Sequence, residues 1–67
     1  MTPQEALEEA TRRAGTRAAL ARIADCSRQA AHRWKVAPPE RVIAIERATG
    51  VSRHDLRPDI YPREAAA

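Results

Sequence analysis

Residues 16–35 constrain the fold more than any other part of the chain. Behind Thr16, a residue suited to open a helix, Ala19, Leu20, Ile23 and Ala24 recur at helical spacing. Asp25-Cys26-Ser27 then breaks the pattern. Ser27 is placed to open a further helix from Arg28 to about Lys35, whose inner face is Ala30, Ala31 and Trp34. Helices this short are marginal alone in water, so they must pack on each other and on the rest of the chain. Ala21 is small at the point where the two would press closest.

The flanking segments supply the remaining helices. Thr2-Pro3-Gln4-Glu5 reads as a capping box with proline at the first helical position, opening a helix from Pro3 to Ala14. Leu7, Ala10 and Ala14 form its apolar stripe and Gly15 ends it. After the break at Pro38-Pro39-Glu40, Val42, Ile45 and Thr49 with Ala48 give a fourth helix its inner stripe before Gly50, with Ile43 off the stripe. Ser52-Arg53-His54-Asp55 begins another helix that Pro58 limits to about one turn, and Ile60 and Tyr61 are expected to fold back as an apolar clamp. No run alternates as a strand would. The expected fold is all-α, a four- to five-helix bundle containing a helix-turn-helix, with one domain over residues 1–62 and a short frayed tail over 63–67.

The charge is local. Twelve Lys and Arg against nine Asp and Glu leave a formal +3. Between Thr16 and Val36, however, Arg17, Arg22, Arg28, Arg33 and Lys35 stand against Asp25 alone. The segment before is slightly acidic, and from Ala37 onward five arginines balance five acids. A local basic face suits a polyanion, whose counterions are released as Lys and Arg dock. Small residues at a helix crossing, apolar residues inward and polar residues at the start of the second helix together describe a helix-turn-helix that reads duplex DNA. Here Leu20, Ala24, Cys26, Ala31 and Trp34 form the inner layer, and Ser27, Arg28, Gln29, His32 and Arg33 point outward.

Other chemistries find less support. With 67 residues, no phenylalanine and only Trp34 and Tyr61 aromatic, the core is built of Ala, Leu, Ile and Val and has no room for an elaborate cleft. Asp25, Ser27 and His32 are residue types of a hydrolase triad, but capping and turn roles explain the first two, and no enzyme activity is expected. Cys26 and the two histidines lack metal-ligand spacing, and no cofactor or small-molecule ligand is expected. Cys26 reads as a small apolar residue, with redox sensing the lesser alternative. No stretch reaches the roughly 18 apolar residues of a membrane span, and the start lacks a signal-peptide layout, so a cytoplasmic location is expected.

Four stretches carry a family resemblance: Arg17-Ala18-Ala19-Leu20-Ala21, Cys26 to Trp34, Pro39 to Glu46, and Thr49 to Pro62. With these the chain resembles the Cro-like repressors of temperate phages and, more closely, the prophage-encoded YdaS-type regulators, over about Leu7 to Pro62. The resemblance implies a lambda-repressor-like domain and a transcription regulator of repressor type. It implies base contacts from Arg28, Gln29 and Arg33, with Ser27 and His32 at the edge of the reading surface. That agrees with the ability of Arg to pair bidentately with guanine and of Gln with adenine. Thr16, Arg17 and Lys35 are expected beside phosphates, with Arg22 a weaker candidate for the same role. Two departures stand out: Arg17 where such motifs often carry Gln, and Asp25 in place of the turn glycine, at a cost of roughly 1 kcal/mol. Ile43 and Arg47 are candidate contacts of a homodimer formed in solution or only on DNA, although Ile43 serves equally well as packing against Trp34. The alternative from another class is an antitoxin-like or adaptor module that binds a protein, with DNA binding secondary.

Overall fold

The capping box at the amino end forms as its residues dictate. In the computed structural model, whose described residues are 1–62, Glu5 N–H donates to Thr2 Oγ1 (3.1 Å) and Thr2 N–H donates to Glu5 Oε1 (2.8 Å). This fixes the start of helix α1, Pro3–Ala14, with Pro3 at its first position. Gly15, at φ 109°, ends α1 by donating its N–H to Thr11 and Arg12 carbonyls. Glu9 braces the outer face by ion pairs to Arg12 and Arg13 one turn ahead.

Helices α2, Arg17–Ile23, and α3, Arg28–Arg33, follow, each opened by a hydroxyl. Thr16 Oγ1 accepts from Ala19 N–H (3.0 Å) and Ser27 Oγ from Ala30 N–H (3.1 Å). A 3-10 turn, Pro39–Arg41, leads into α4, Val42–Thr49, and α5, Arg53–Leu56, closes the order. The described residues contain no strand, so the protein is a small all-α bundle. The expected tail, residues 63–67, lies outside the described residues.

One boundary and two burials differ from the sequence expectation. Helix α3 stops at Arg33, two residues short of Lys35, because Trp34 is extended (ψ 131°) and sends the chain toward α4. Ala48, expected on the inner stripe of α4, is exposed, since Val42 and Ile45 alone fill that stripe. The expected clamp is made by Tyr61 alone: it is half-buried against the core while Ile60 is 42% exposed.

The core is small and shared. Ala6, Leu7 and Ala10 of α1 meet Leu20 and Ala24 from α2 and its cap, Val42 and Ile45 of α4, Val51, Leu56 of α5, and Ala37 from the α3–α4 linker. The bulkiest of these, Leu7, Leu20, Ile45 and Leu56, are fully buried, each worth roughly 1.5 to 3 kcal/mol relative to exposure. Ala14, Ile23, Cys26 and Trp34 pack on the margin. Ile43 is half-buried and lies outside this cluster.

Arginines tie the elements together through backbone carbonyls. Arg13 Nη1 donates to the Thr49 carbonyl at the end of α4 (3.1 Å), and Arg57 Nη1 to the Ala37 carbonyl of the α3–α4 linker (2.9 Å). At the carboxyl end Glu46 pairs with Arg53, whose guanidinium lies over the Tyr61 ring, 5.7 Å from its centroid. His54 Nδ1 lies 2.8 Å from the Tyr61 carbonyl, which only accepts, so the ring carries its proton there.

These pairs make a pH prediction. Glu5 is lowered by the Thr2 backbone and hydroxyl bonds, Glu46 by the Arg53 backbone N–H and then its side chain, and Asp59 by Arg57. Glu9 is lowered from 4.5 to about 2 by Arg12 and then Arg13. A carboxylate held below its ordinary value contributes stability above that value and loses it as pH falls toward the lowered one. The thermal midpoint is therefore expected to hold level from neutral pH to about 5 and to drop between about 4.5 and 2. Circular-dichroism melts across that range check this; a midpoint unchanged down to pH 2 contradicts it.

Candidate nucleic-acid interface

The turn between α2 and α3 sets the aim of everything after it. Asp25 takes the left-handed conformation at φ 59°. Its N–H donates to the Arg22 carbonyl (3.2 Å), and Cys26 N–H reaches back to the Ala21 carbonyl (2.9 Å). That pair of bonds is the Schellman closure of a helix, with an aspartate where glycine is usual. Cys26, the next residue, packs on the margin of the core, as expected of a small apolar side chain.

Ser27 then turns the chain into α3, whose six residues divide cleanly. Ala31 is fully buried and Ala30 half-buried, while Arg28, Gln29, His32 and Arg33 are exposed. Those four lie at i, i+1, i+4 and i+5, so they share one face of the helix. Among the elements, α3 touches α2 and no other. The crossing is made possible by Ala21 and Ala31, both buried yet outside the main core cluster. Trp34, just past the helix, anchors it to the core margin.

The structure also shows which charges are already satisfied. Among the described residues every ion pair uses Arg12, Arg13, Arg53 or Arg57. Arg28 and Arg33, with Lys35 just beyond them, are exposed and have no carboxylate partner. Arg22 and Arg47 are likewise exposed. Cations left unpaired on a face with no acid beside them keep their full attraction for an external anion.

The residues expected beside phosphates separate. Thr16 is exposed and spends its hydroxyl oxygen on the α2 cap, and Lys35 is exposed. Arg17 turns inward: Nη1 donates to the Ala31 carbonyl of α3 (2.9 Å) and lies 3.5 Å from that of Trp34. Sequence reasoning found the exposed face but not this link, whose only signal is the arginine standing where glutamine is usual. It also missed the Arg57 bond to Ala37, which joins residues 20 apart and has no local signature.

A family model described as "Bacterial toxin YdaS" matches residues 7–65. The chain belongs to the YdaS family. The match takes in all of α2 to α5 and most of α1, so the helix-turn-helix of this YdaS-family chain lies inside the family's shared region. The description names a toxin, whereas the sequence resemblance implied a repressor or an antitoxin-like protein. No curated protein and no solved structure gives a significant match. No helix among the described residues is long and apolar enough to cross a membrane, and no group of three His, Cys, Asp or Glu is arranged to hold a metal ion.

The left-handed Asp25 gives a prediction. Glycine at this position relieves the Cβ conflict, part of which is offset by the greater freedom of the unfolded chain. Asp25→Gly is expected to raise stability by about 0.5 to 1 kcal/mol, or about 2 to 8 °C in Tm. Asp25→Val, β-branched in the same conformation, is expected to lower it by at least about 1 kcal/mol. Thermal melts of both variants check this; a destabilising glycine would show that the aspartate side chain supports the turn in some other way.

Proposed function

We propose that this YdaS-family chain is a sequence-reading, duplex-DNA-binding transcription regulator that places the outer face of α3 in the major groove. The observation that carries the reading is the set of exposed, unpaired side chains on that face. Arg28 and Arg33 have no acid to neutralise them, and Gln29 and His32 stand between them. Arg28 and Arg33 suit guanine O6 and N7, and Gln29 suits adenine N6 and N7, each bidentate pair contributing roughly 1 to 3 kcal/mol of discrimination. Ser27 and His32 stand at the edge of the reading surface, and Thr16 and Lys35 beside phosphates. Such binding requires no cofactor and no bond-making chemistry.

In the finer form of the reading the protein is a repressor of Cro type from a phage or prophage, acting in the cytoplasm. A second copy would meet the first through Ile43 and Arg47 of α4, doubling the contact that one six-residue helix makes. The second reading is the antitoxin-like or adaptor module that binds a protein partner, with DNA binding secondary; the family description itself names a toxin. The clustered positive face around α3, against a C-terminal half whose charges balance, favours DNA.

Selection from a randomised duplex pool, followed by anisotropy titration of the enriched and a scrambled duplex at two salt concentrations, tests the proposal. The enriched duplex is expected to bind more tightly and with strong salt dependence. Arg28→Ala is expected to weaken the enriched duplex by about 5- to 150-fold while leaving the scrambled one much less affected. Equal losses on both would remove Arg28 from base reading. Failure to enrich any sequence, with weak salt-insensitive binding, would favour the protein-partner reading.

A further inference from the structure

Arg17 stands at the first residue of α2, where the positive end of the helix dipole disfavours a cation. Its guanidinium instead reaches the far end of α3, donating from Nη1 to the Ala31 carbonyl at 2.9 Å with the Trp34 carbonyl 3.5 Å away. Nε is shut off from solvent and has no partner, and among the described residues Arg17 makes no ion pair. What faces the charge is therefore the negative, carbonyl end of α3, whose last carbonyls have no helical partner of their own. The Ala31 carbonyl would accept from Lys35 in a longer helix. Here it takes Arg17 and the Trp34 N–H (3.2 Å).

We propose that Arg17 is a positioning residue for the reading helix. By fastening the carboxyl end of α3 to the start of α2, it fixes the angle at which Arg28 and Arg33 are presented. The proposal rests on the DNA-reading function above. It assigns Arg17 to discrimination between sequences, in contrast to a phosphate ligand, which would act on all sequences alike. The case is mechanical. Helix α3 is six residues long and touches only α2, its other ties being the Asp25 turn at one end and Trp34 at the other. A helix so lightly attached pivots when one tie is cut, and base contacts tolerate displacements of only about 0.5 Å and 10 to 20°.

The test uses Arg17→Ala and Arg17→Lys in the full chain, with two independent readouts. The first is amide hydrogen exchange by NMR, together with fluorescence of Trp34, the only tryptophan. Arg17→Ala is expected to speed exchange of the Trp34 amide at least about tenfold while leaving the amides of α1 and α4 unchanged. The second is anisotropy with the enriched and scrambled duplexes. The ratio of their affinities is expected to fall about tenfold or more, with the salt slope on the scrambled duplex unchanged. Arg17→Lys, which keeps the charge and loses the planar fork, is expected to lie between the two in both readouts, and it carries the test alone if the alanine variant does not fold.

Equal loss on both duplexes with a salt slope lowered by about one, and unaltered Trp34 exchange, would make Arg17 a phosphate ligand and overturn the proposal. If the unsubstituted protein enriches no sequence, the DNA-reading function fails by itself. The exchange measurement then still decides whether Arg17 fastens α3, and an unchanged Trp34 amide overturns that as well.

Discussion

The seating of α3 on α2 is the constraint on which the rest of the molecule depends. Six residues cannot hold a helix in water, and this helix gains its order from one neighbour. Two alanines, Ala21 and Ala31, let the helices approach closely, and larger side chains at either would force them apart. The Schellman closure at Asp25 fixes one end, and the Arg17 guanidinium with the packed Trp34 fixes the other. The other three helices form a base whose core reaches α3 through α2 and the linker residue Ala37.

Charge is distributed to match this division of labour. Glu9, Glu46 and Asp59 each neutralise arginine on the base, and Arg13 and Arg57 also close backbone carbonyls across elements. Exposed pairs of this kind contribute little to stability individually, but they neutralise four of the arginines outside α2 and α3. Helix α3 is the opposite case. Its arginines have no acids beside them, so the local field that would draw a polyanion is concentrated where side chains could read bases. Asp25, the single acid between Thr16 and Val36, stands in the turn, exposed and in no ion pair with these arginines.

Local chemistry was legible in the sequence, and long-range chemistry was not. The caps at Thr2, Thr16 and Ser27 were readable because each is a bond between residues three apart, and the structure forms all three. Ser52 also caps as read, though its hydroxyl takes the His54 N–H, one residue earlier than a capping box places it. The split of α3 into Ala30 and Ala31 inward and four polar residues outward followed from periodicity alone. The inward turn of Arg17 was not legible because it is decided by a neighbour distant in the chain, and the early end of α3 and the exposure of Ala48 carry no sequence signal of their own. Arg17 meets Ala31 fourteen residues away, and Ala48 loses its place to a core already filled by Val42 and Ile45. Ala6, fully buried and four residues before Ala10, widens the α1 stripe beyond the Leu7, Ala10 and Ala14 read from the sequence.

The central claim, that this chain meets duplex DNA with the outer face of α3, is tested most directly by an NMR titration of the isotope-labelled protein with the enriched duplex. The account predicts that the largest shift changes fall on the amides of Ser27 to Arg33 and on the side chains of Gln29 and His32. Changes at Thr16 and Lys35 should mark the phosphates, and α1 and α5 should be left nearly unmoved. Changes centred on α1 or α5, or none at all at saturating duplex, would contradict it.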